Sequence, residues 1–330
     1  MKKNFEAFVA SIVTRINEAF PNYETRLNEV AKSGNTTKRN LVVRDPEFDA
    51  APALRIDDYY DKYREADNYE DVFEEIVEEV LDIIPKSMQD AKGMNIGDKA
   101  KDAIENWREN ATFSLVLKDG NERFLSERPY MEFLDMAKVY SLNVDNLIEG
   151  HVSRVAINNE HFESFRCSLE ELDEAAMANT IRKNPVEIDS MLHVLAELMG
   201  MPEDQFEMMF GPNDIPMYVV SNRTKCDGAA TIAYPEVLEQ ICDAMNADGF
   251  YLLPSSRHEC IAIPENVGKD VAALRCMVHE VNSTQVPPED LLSENVYRYK
   301  RGGELKIAED EPAEISNFEP VGDGDVGIAQ

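Results

Sequence analysis

Apolar residues recur along this chain with two periods, and the period sorts segments into helices and strands. In "MKKNFEAFVASIVTRINEAF", Phe5, Phe8, Val9, Ile12, Val13, Ile16 and Phe20 share one helical face; Arg15 and Glu18 interrupt the apolar run, and Asn4 is placed to cap the first turn. "YETRLNEVAKS" and "KRNLVVRD" read as strands about a Gly34-Asn35 turn, with a helix following in "IDDYYDKYREA". In "NYEDVFEEIVEEVLDII" one stripe holds Phe73, Ile76, Val77, Val80, Leu81 and Ile84. Pro85 is expected to end that helix, because proline has no N–H for the helical ladder.

Glycines and charge fill "MQDAKGMNIGDKAKDAIENWREN" before the strand "TFSLVLKD". "FLDMAKVYSLNV" and "HVSRVAINN" read as strands, "SLEELDEAAMANTIRK" and "VEIDSMLHVLAELMG" as helices. The Pro- and Gly-bearing "MFGPNDIPM" reads either as a domain boundary near Gly211 or as a long internal loop. Beyond it the order is strand "MYVVSN", an Asp227-Gly228 turn, strand "AATIAY", a helix from Pro235 to about Met245, strands "FYLLP" and "HECIAIP", and helix "KDVAALRCMVHEVN". That is strand-strand-helix twice, with a weak hint of duplication in "SNRTKC" against "SSRHEC". The expected class is α+β: an N-terminal α+β region over 1–210, a ββαββα region over 211–302, and a disordered acidic tail over 303–330.

Charge changes the picture more than composition does. Hydrophobic residues make up an ordinary 43%, but 64 Asp and Glu against 33 Lys and Arg leave a net charge of −31. Direct nucleic-acid binding is disfavoured, since a phosphate backbone is held by clustered cations, and a basic protein partner is the natural complement. Five cysteines form no C-x-x-C pair, and an odd count leaves at least one unpaired, which fits a reducing cytoplasm. No run reaches the length of a membrane span.

Several blocks taken together resemble a known family. "MYVVSN", "GAATIAYPEVLEQI", "LLPSSRHECIAIP" and "VNSTQVPPEDLLSENVYRYKR", with the N-terminal helix and "RPYMEFLDMAKVYSL", are similar to a domain-of-unknown-function family of Gram-positive anaerobes, numbered fifty-six eighty-eight, over roughly residues 1 to 302. The resemblance implies a cytoplasmic bacterial protein and brings no activity, cofactor or catalytic residue with it.

The densest candidate chemistry is "LLPSSRHEC", where Ser255, Ser256, Arg257, His258 and Glu259 stand between two apolar runs. Serine, histidine and an acid can build a hydrolase only if the serine oxygen meets an imidazole nitrogen held from behind by a carboxylate. Along a strand, His258 and Glu259 point to opposite faces, and Ser256 and His258 stand roughly 6.5 to 7 Å apart. No G-x-S-x-G elbow occurs. A hairpin turn explains the same residues, with Pro254 closing a strand and the serines satisfying turn backbone groups; His258, at a strand end, is the best single functional candidate. Metal-ligand spacing, phosphate loops and the EF-hand pattern are missing, so neither cofactor nor metal is expected.

The acidic face beside the Phe73 stripe is the other candidate. Glu70, Glu74, Glu78 and Asp82 form one row at i,i+4 spacing, and Asp71, Glu75 and Glu79 form a second. Five like-charge neighbours cost on the order of 1 to 2.5 kcal/mol together, which burial of the stripe offsets. The charge spacing, one per roughly 2.6 Å against about 1.7 Å in duplex DNA, suits nucleic-acid mimicry, the alternative being a solvated face, and the two rows are also the candidate docking face for a basic partner. With no catalytic signature, the expected function is a non-catalytic cytoplasmic interaction or regulatory role. The alternative is a hydrolase-like or ligand-binding activity centred on Ser255 to Glu259.

Overall fold

The computed structural model describes residues 2–32, 36–46, 51–144, 153–210, 217–254, 256–267 and 270–309. The Gly34-Asn35 turn, most of the "MFGPNDIPM" loop, Ser255 and residues 310–330 of the expected tail lie outside the described residues.

The N-terminal unit comprises α1 (Phe5–Ala19), β1 (Glu24–Lys32), β2 (Thr36–Arg44), β3 (Ala53–Arg55), α2 (Ile56–Glu65) and α3 (Tyr69–Met94). Asn4 caps α1, its side chain accepting from Ala7 N–H at 2.9 Å. β1 and β2 pair antiparallel from Glu24↔Arg44 to Lys32↔Thr36, and β3 adds to β2. Phe8, Ile12 and Ile16 of α1 meet Phe73, Ile76 and Val80 of α3 in one core, where Phe8 lies 5.0 Å from the Tyr63 ring and 5.8 Å from that of Phe73. Pro85 does not end α3 but sits inside it. Ile84 and Met88 are buried on either side of it, so packing of the stripe carries the helix past the missing N–H.

The glycine-bearing stretch after Ser87 is helical: α3 continues to Met94, followed by α4 (Ile96–Glu105) and α5 (Trp107–Asn110). Then come β4 (Ala111–Leu117), α6 (Glu122–Ser126), β5 (Tyr130–Phe133), β6 (Met136–Val144), β7 (Ser153–Ala156), α7 (Asn159–Phe165) and α8 (Leu169–Lys183). The expected strand "FLDMAKVYSLNV" is strand β6 from Met136 onward, while Phe133 ends β5. Leu134, at φ 58°, and Asp135 turn β5 into β6. The sheet is antiparallel, with β6 between β4 and β5 and carrying β7 at its far end. A capping box on Ser168 and Glu171 starts α8, and Thr180 of that helix accepts the Phe113 N–H at 3.1 Å, fixing helix to sheet.

A third, six-stranded sheet runs β13 (Lys306–Ile307), β12 (Tyr297–Lys300), β10 (Gly249–Leu253), β11 (Cys260–Pro264), β9 (Tyr218–Asn222), β8 (Val186–Ser190), all antiparallel. Helices α9 (Met191–Leu198), α10 (Glu203–Phe210), α11 (Val237–Met245) and α12 (Val271–Thr284) complete it. "VEIDS", expected to open a helix, is strand β8; the ladder to β9 captures it, and Ser190 caps α9 by accepting from His193 N–H. "AATIAY", expected as a strand, is a 3₁₀ helix over Gly228–Ala233, in which Thr231 Oγ1 donates to the Gly228 carbonyl at 2.7 Å. The C-terminal order is therefore not two copies of strand-strand-helix, and β13 extends past residue 302, where the tail was expected to begin.

β8 precedes residue 210 yet belongs to this sheet, and one core runs from Ala103 through Phe113, Tyr140, Val220 and Phe250 to Leu305. The division expected at 210 is thus crossed by both a sheet and a core. Asp135, at the β5–β6 turn, ties the four-stranded sheet to the six-stranded one: it accepts Ser293 Oγ at 2.8 Å, Asn295 Nδ2 at 2.9 Å and the hydroxyl of the fully buried Tyr297. Mixed helix and antiparallel sheet make the protein α+β.

Candidate functional site

β10 and β11 pair up to Leu253↔Ile261, and of the connection between them Pro254 and Ser256 to Glu259 are described. Ser256 bridges to Leu291, and its Oγ accepts the His258 backbone N–H at 3.1 Å, a local turn bond. The imidazole is engaged elsewhere. Nδ1 accepts the Asp227 N–H at 3.3 Å and Nε2 faces Asp290 Oδ1 at 3.3 Å, which places the ring proton on Nε2. Ser256 and His258 are brought together through the backbone, and among the described residues neither ring nitrogen has a serine partner. Glu259 is exposed.

Behind His258 lies a cluster that sequence reasoning missed. After β9, Asn222 holds the next loop: its Oδ1 accepts from Thr224 N–H and Oγ1, and its Nδ2 donates to the Cys226 carbonyl at 2.8 Å. Lys225 and Asp227 both adopt left-handed φ, near 53° and 52°. That turn points the Asp227 carboxylate, 6% exposed, between two guanidiniums. Arg257 donates Nε–H to Oδ1 at 2.6 Å, and Arg154, from β7, pairs with Oδ2. Gly228 follows where only glycine fits, since a Cβ would strike Ser221 Oγ and the His258 carbonyl oxygen. Burial pushes the Asp227 carboxyl up, but the charges of Arg257 and Arg154 and their hydrogen bonds outweigh it and hold it below its ordinary value.

Cys226, Asp227 and His258 bring three potential metal-ligand atoms within 4.8 Å of one another. The donor set fits a cation poorly. Both carboxylate oxygens carry guanidiniums, His258 Nδ1 is filled by an N–H, and burial, with Asp227 adding to it, pushes the Cys226 thiol up and away from the thiolate a metal needs. The arrangement locks three segments together, and one sequence signal, the Asp227-Gly228 dipeptide, marks its turn. Nothing local marks a partner such as Arg154, 73 positions away.

All seven carboxylates of the acidic face on α3 are exposed, opposite the buried stripe. Glu74 pairs with Arg15 at 2.9 Å, Glu79 accepts from the Tyr59 hydroxyl at 3.0 Å, and Asp82 pairs with Lys86 at 2.5 Å. Glu70, Asp71, Glu75 and Glu78 have no protein partner among the described residues. A groove of about 650 Å³ runs between α1 and α3, lined in part by Arg15, Tyr69, Glu70, Asp71 and Glu74.

The fold and these clusters define an α+β protein whose buried Asp227 is held between arginines and whose α3 presents carboxylates without partners among the described residues. The chain belongs to the Family of unknown function (DUF5688), whose model matches residues 5–301. No curated protein and no solved structure matches it.

Proposed function

We propose that the protein is a non-catalytic, cytoplasmic interaction protein, and that the acidic face of α3 docks a basic protein partner. The observation that carries this reading is the set of four exposed carboxylates, Glu70, Asp71, Glu75 and Glu78, with no partner among the described residues, on a helix whose opposite stripe packs into the core. Such a helix presents its charge without rearrangement, and a cationic surface is what complements it. Supporting a non-catalytic role, the polar groups at Ser256 and His258 are used in backbone and carboxylate contacts. Free thiols at all five cysteines agree with a reducing compartment, and among the described residues no helix is long and apolar enough to cross a membrane. The excess of acid argues against nucleic acid as the partner.

The test is capture from the native host at low and moderate salt, with wild type and a Glu70→Gln, Asp71→Asn, Glu75→Gln, Glu78→Gln variant of unchanged melting temperature. The expected result is a partner lost both with the variant and as salt rises, because screening shortens to about 8 Å at physiological ionic strength. Capture that ignores both changes would overturn the reading. A turnover abolished by His258→Ala in a folded, equally abundant protein would replace it with the catalytic alternative.

A further inference from the structure

From Asn184 to Asn222 the chain carries no lysine or arginine, and residues 191–210 hold five methionines and four acids. This stretch forms the helical pair α9 and α10. The pair is stapled internally, with His193 Nδ1 2.6 Å from Glu203 Oε1. Much of its apolar surface is open. The four most exposed large apolar side chains among the described residues all lie here: Met208 at 87%, Leu198 at 78%, Met209 at 67% and Met199 at 52%. Scattered exposed apolar residues are ordinary, but a concentration of them on one small element marks a contact surface.

We propose that the α9–α10 pair is a docking surface for a basic amphipathic helix of a partner protein. Methionine is flexible and polarizable, so Met199, Met208 and Met209 can repack around an incoming apolar stripe together with Leu198. Glu197, beside His193, is exposed, as are Asp204 and Glu207, which have no partner among the described residues; all three are placed to meet lysines and arginines flanking that stripe. Charge selects among the occupants. A second copy of this chain would set acid against acid, with no lysine or arginine in the pair to relieve it, and an anionic bilayer would be repelled. A basic helix alone satisfies both the apolar and the acidic side chains. This surface is on different elements from the α3 face and does not depend on it.

The experiment titrates the full-length protein with a synthetic peptide of leucines at helical spacing and lysines on the opposite face, and with a scrambled peptide of the same composition. Saturable binding of the first, roughly tenfold weaker for the second, is expected, as is a roughly tenfold loss in a Leu198→Gln, Met208→Gln, Met209→Gln variant. These side chains are exposed, so the fold should survive; a Glu197→Gln, Asp204→Asn, Glu207→Gln variant gives the same readout should it not. Equal binding of the two peptides, or unchanged binding by both variants, would overturn the proposal. So would self-association abolished by the triple apolar variant, or binding to phosphatidylglycerol vesicles. A Glu75→Gln, Glu78→Gln variant should bind the peptide like wild type; if that variant alone loses it, the peptide sits on α3 and the present assignment fails.

Discussion

Asp227 accepts the Nε–H of Arg257 at 2.6 Å, and with Arg154 on its other oxygen the carboxylate joins β7, the loop after β9 and the β10–β11 hairpin. Removing the charge leaves two partly buried guanidiniums facing a neutral amide. Asp227→Asn should therefore cost about 3 to 5 kcal/mol, the usual result of breaking a buried pair from one side. The pH dependence has a definite sign. Because the carboxyl is held below its ordinary value of 3.8, its contribution is complete above that value and is lost as pH falls through the lower folded one. Urea unfolding from neutral pH downward checks both points: the variant should start less stable and lose less on acidification. A loss under about 1 kcal/mol would mean the pairs are solvated.

Gly228→Ala tests the close approach beside that carboxylate. The added Cβ would overlap Ser221 Oγ and the His258 carbonyl oxygen and stand 2.9 Å from Asn222 N. Two of those three obstacles are backbone and cannot rotate away, so the cost should reach at least the usual 1 to 3 kcal/mol of overpacking. Trimming the hydroxyl with Ser221→Ala should not restore the melting temperature. Full rescue would show that the side chain, not the backbone, sets the limit.

Much of the fold was legible because its stripes are long. The periods of α1 and α3, and the Glu24–Arg44 hairpin, are repeated often enough to fix face and element. Short apolar runs were not legible. "AATIAY" suits a strand or a helix by pattern, and what decides it is the left-handed Asp227 held by its arginines together with the Thr231–Gly228 bond. "VEIDS" joins a helical pattern in sequence, but β9 offers it a ladder and Ser190 starts the helix one step later. At the candidate site the turn role of Ser256 could be read from its neighbours, whereas the Asp227 cluster is assembled from residues far apart in the chain, which no local window contains.

Pro85 was expected to stop α3 and does not, which makes the proline a cost that the packing absorbs. Alanine would restore an N–H to the ladder and remove the ring's clash with the preceding turn. Since Pro85 is itself exposed, Pro85→Ala should raise stability by up to about 3 kcal/mol with the denaturant slope unchanged. A fall in stability would show that a bend set by the proline is needed to seat Ile84 and Met88.

His193 offers a reading of whether α9 and α10 stay together in solution. Its Nδ1 lies 2.6 Å from Glu203 Oε1, and that hydrogen bond, opposed by partial desolvation and aided by the charges of Glu203, Asp189 and Glu197, raises its pKa above the ordinary 6.5. A raised folded value means the contact contributes fully below the unfolded pKa and is lost as pH rises through the folded one. Glu203→Gln should move the His193 titration, followed by its ring proton resonances in NMR, back toward 6.5. In the wild type, amide exchange in Met199–Met201 should quicken on the alkaline side of the transition beyond the intrinsic rate increase, as the staple between the helices weakens. A His193 titration that is already ordinary in the wild type, and indifferent to Glu203→Gln, would mean that the two helices are not held by this pair.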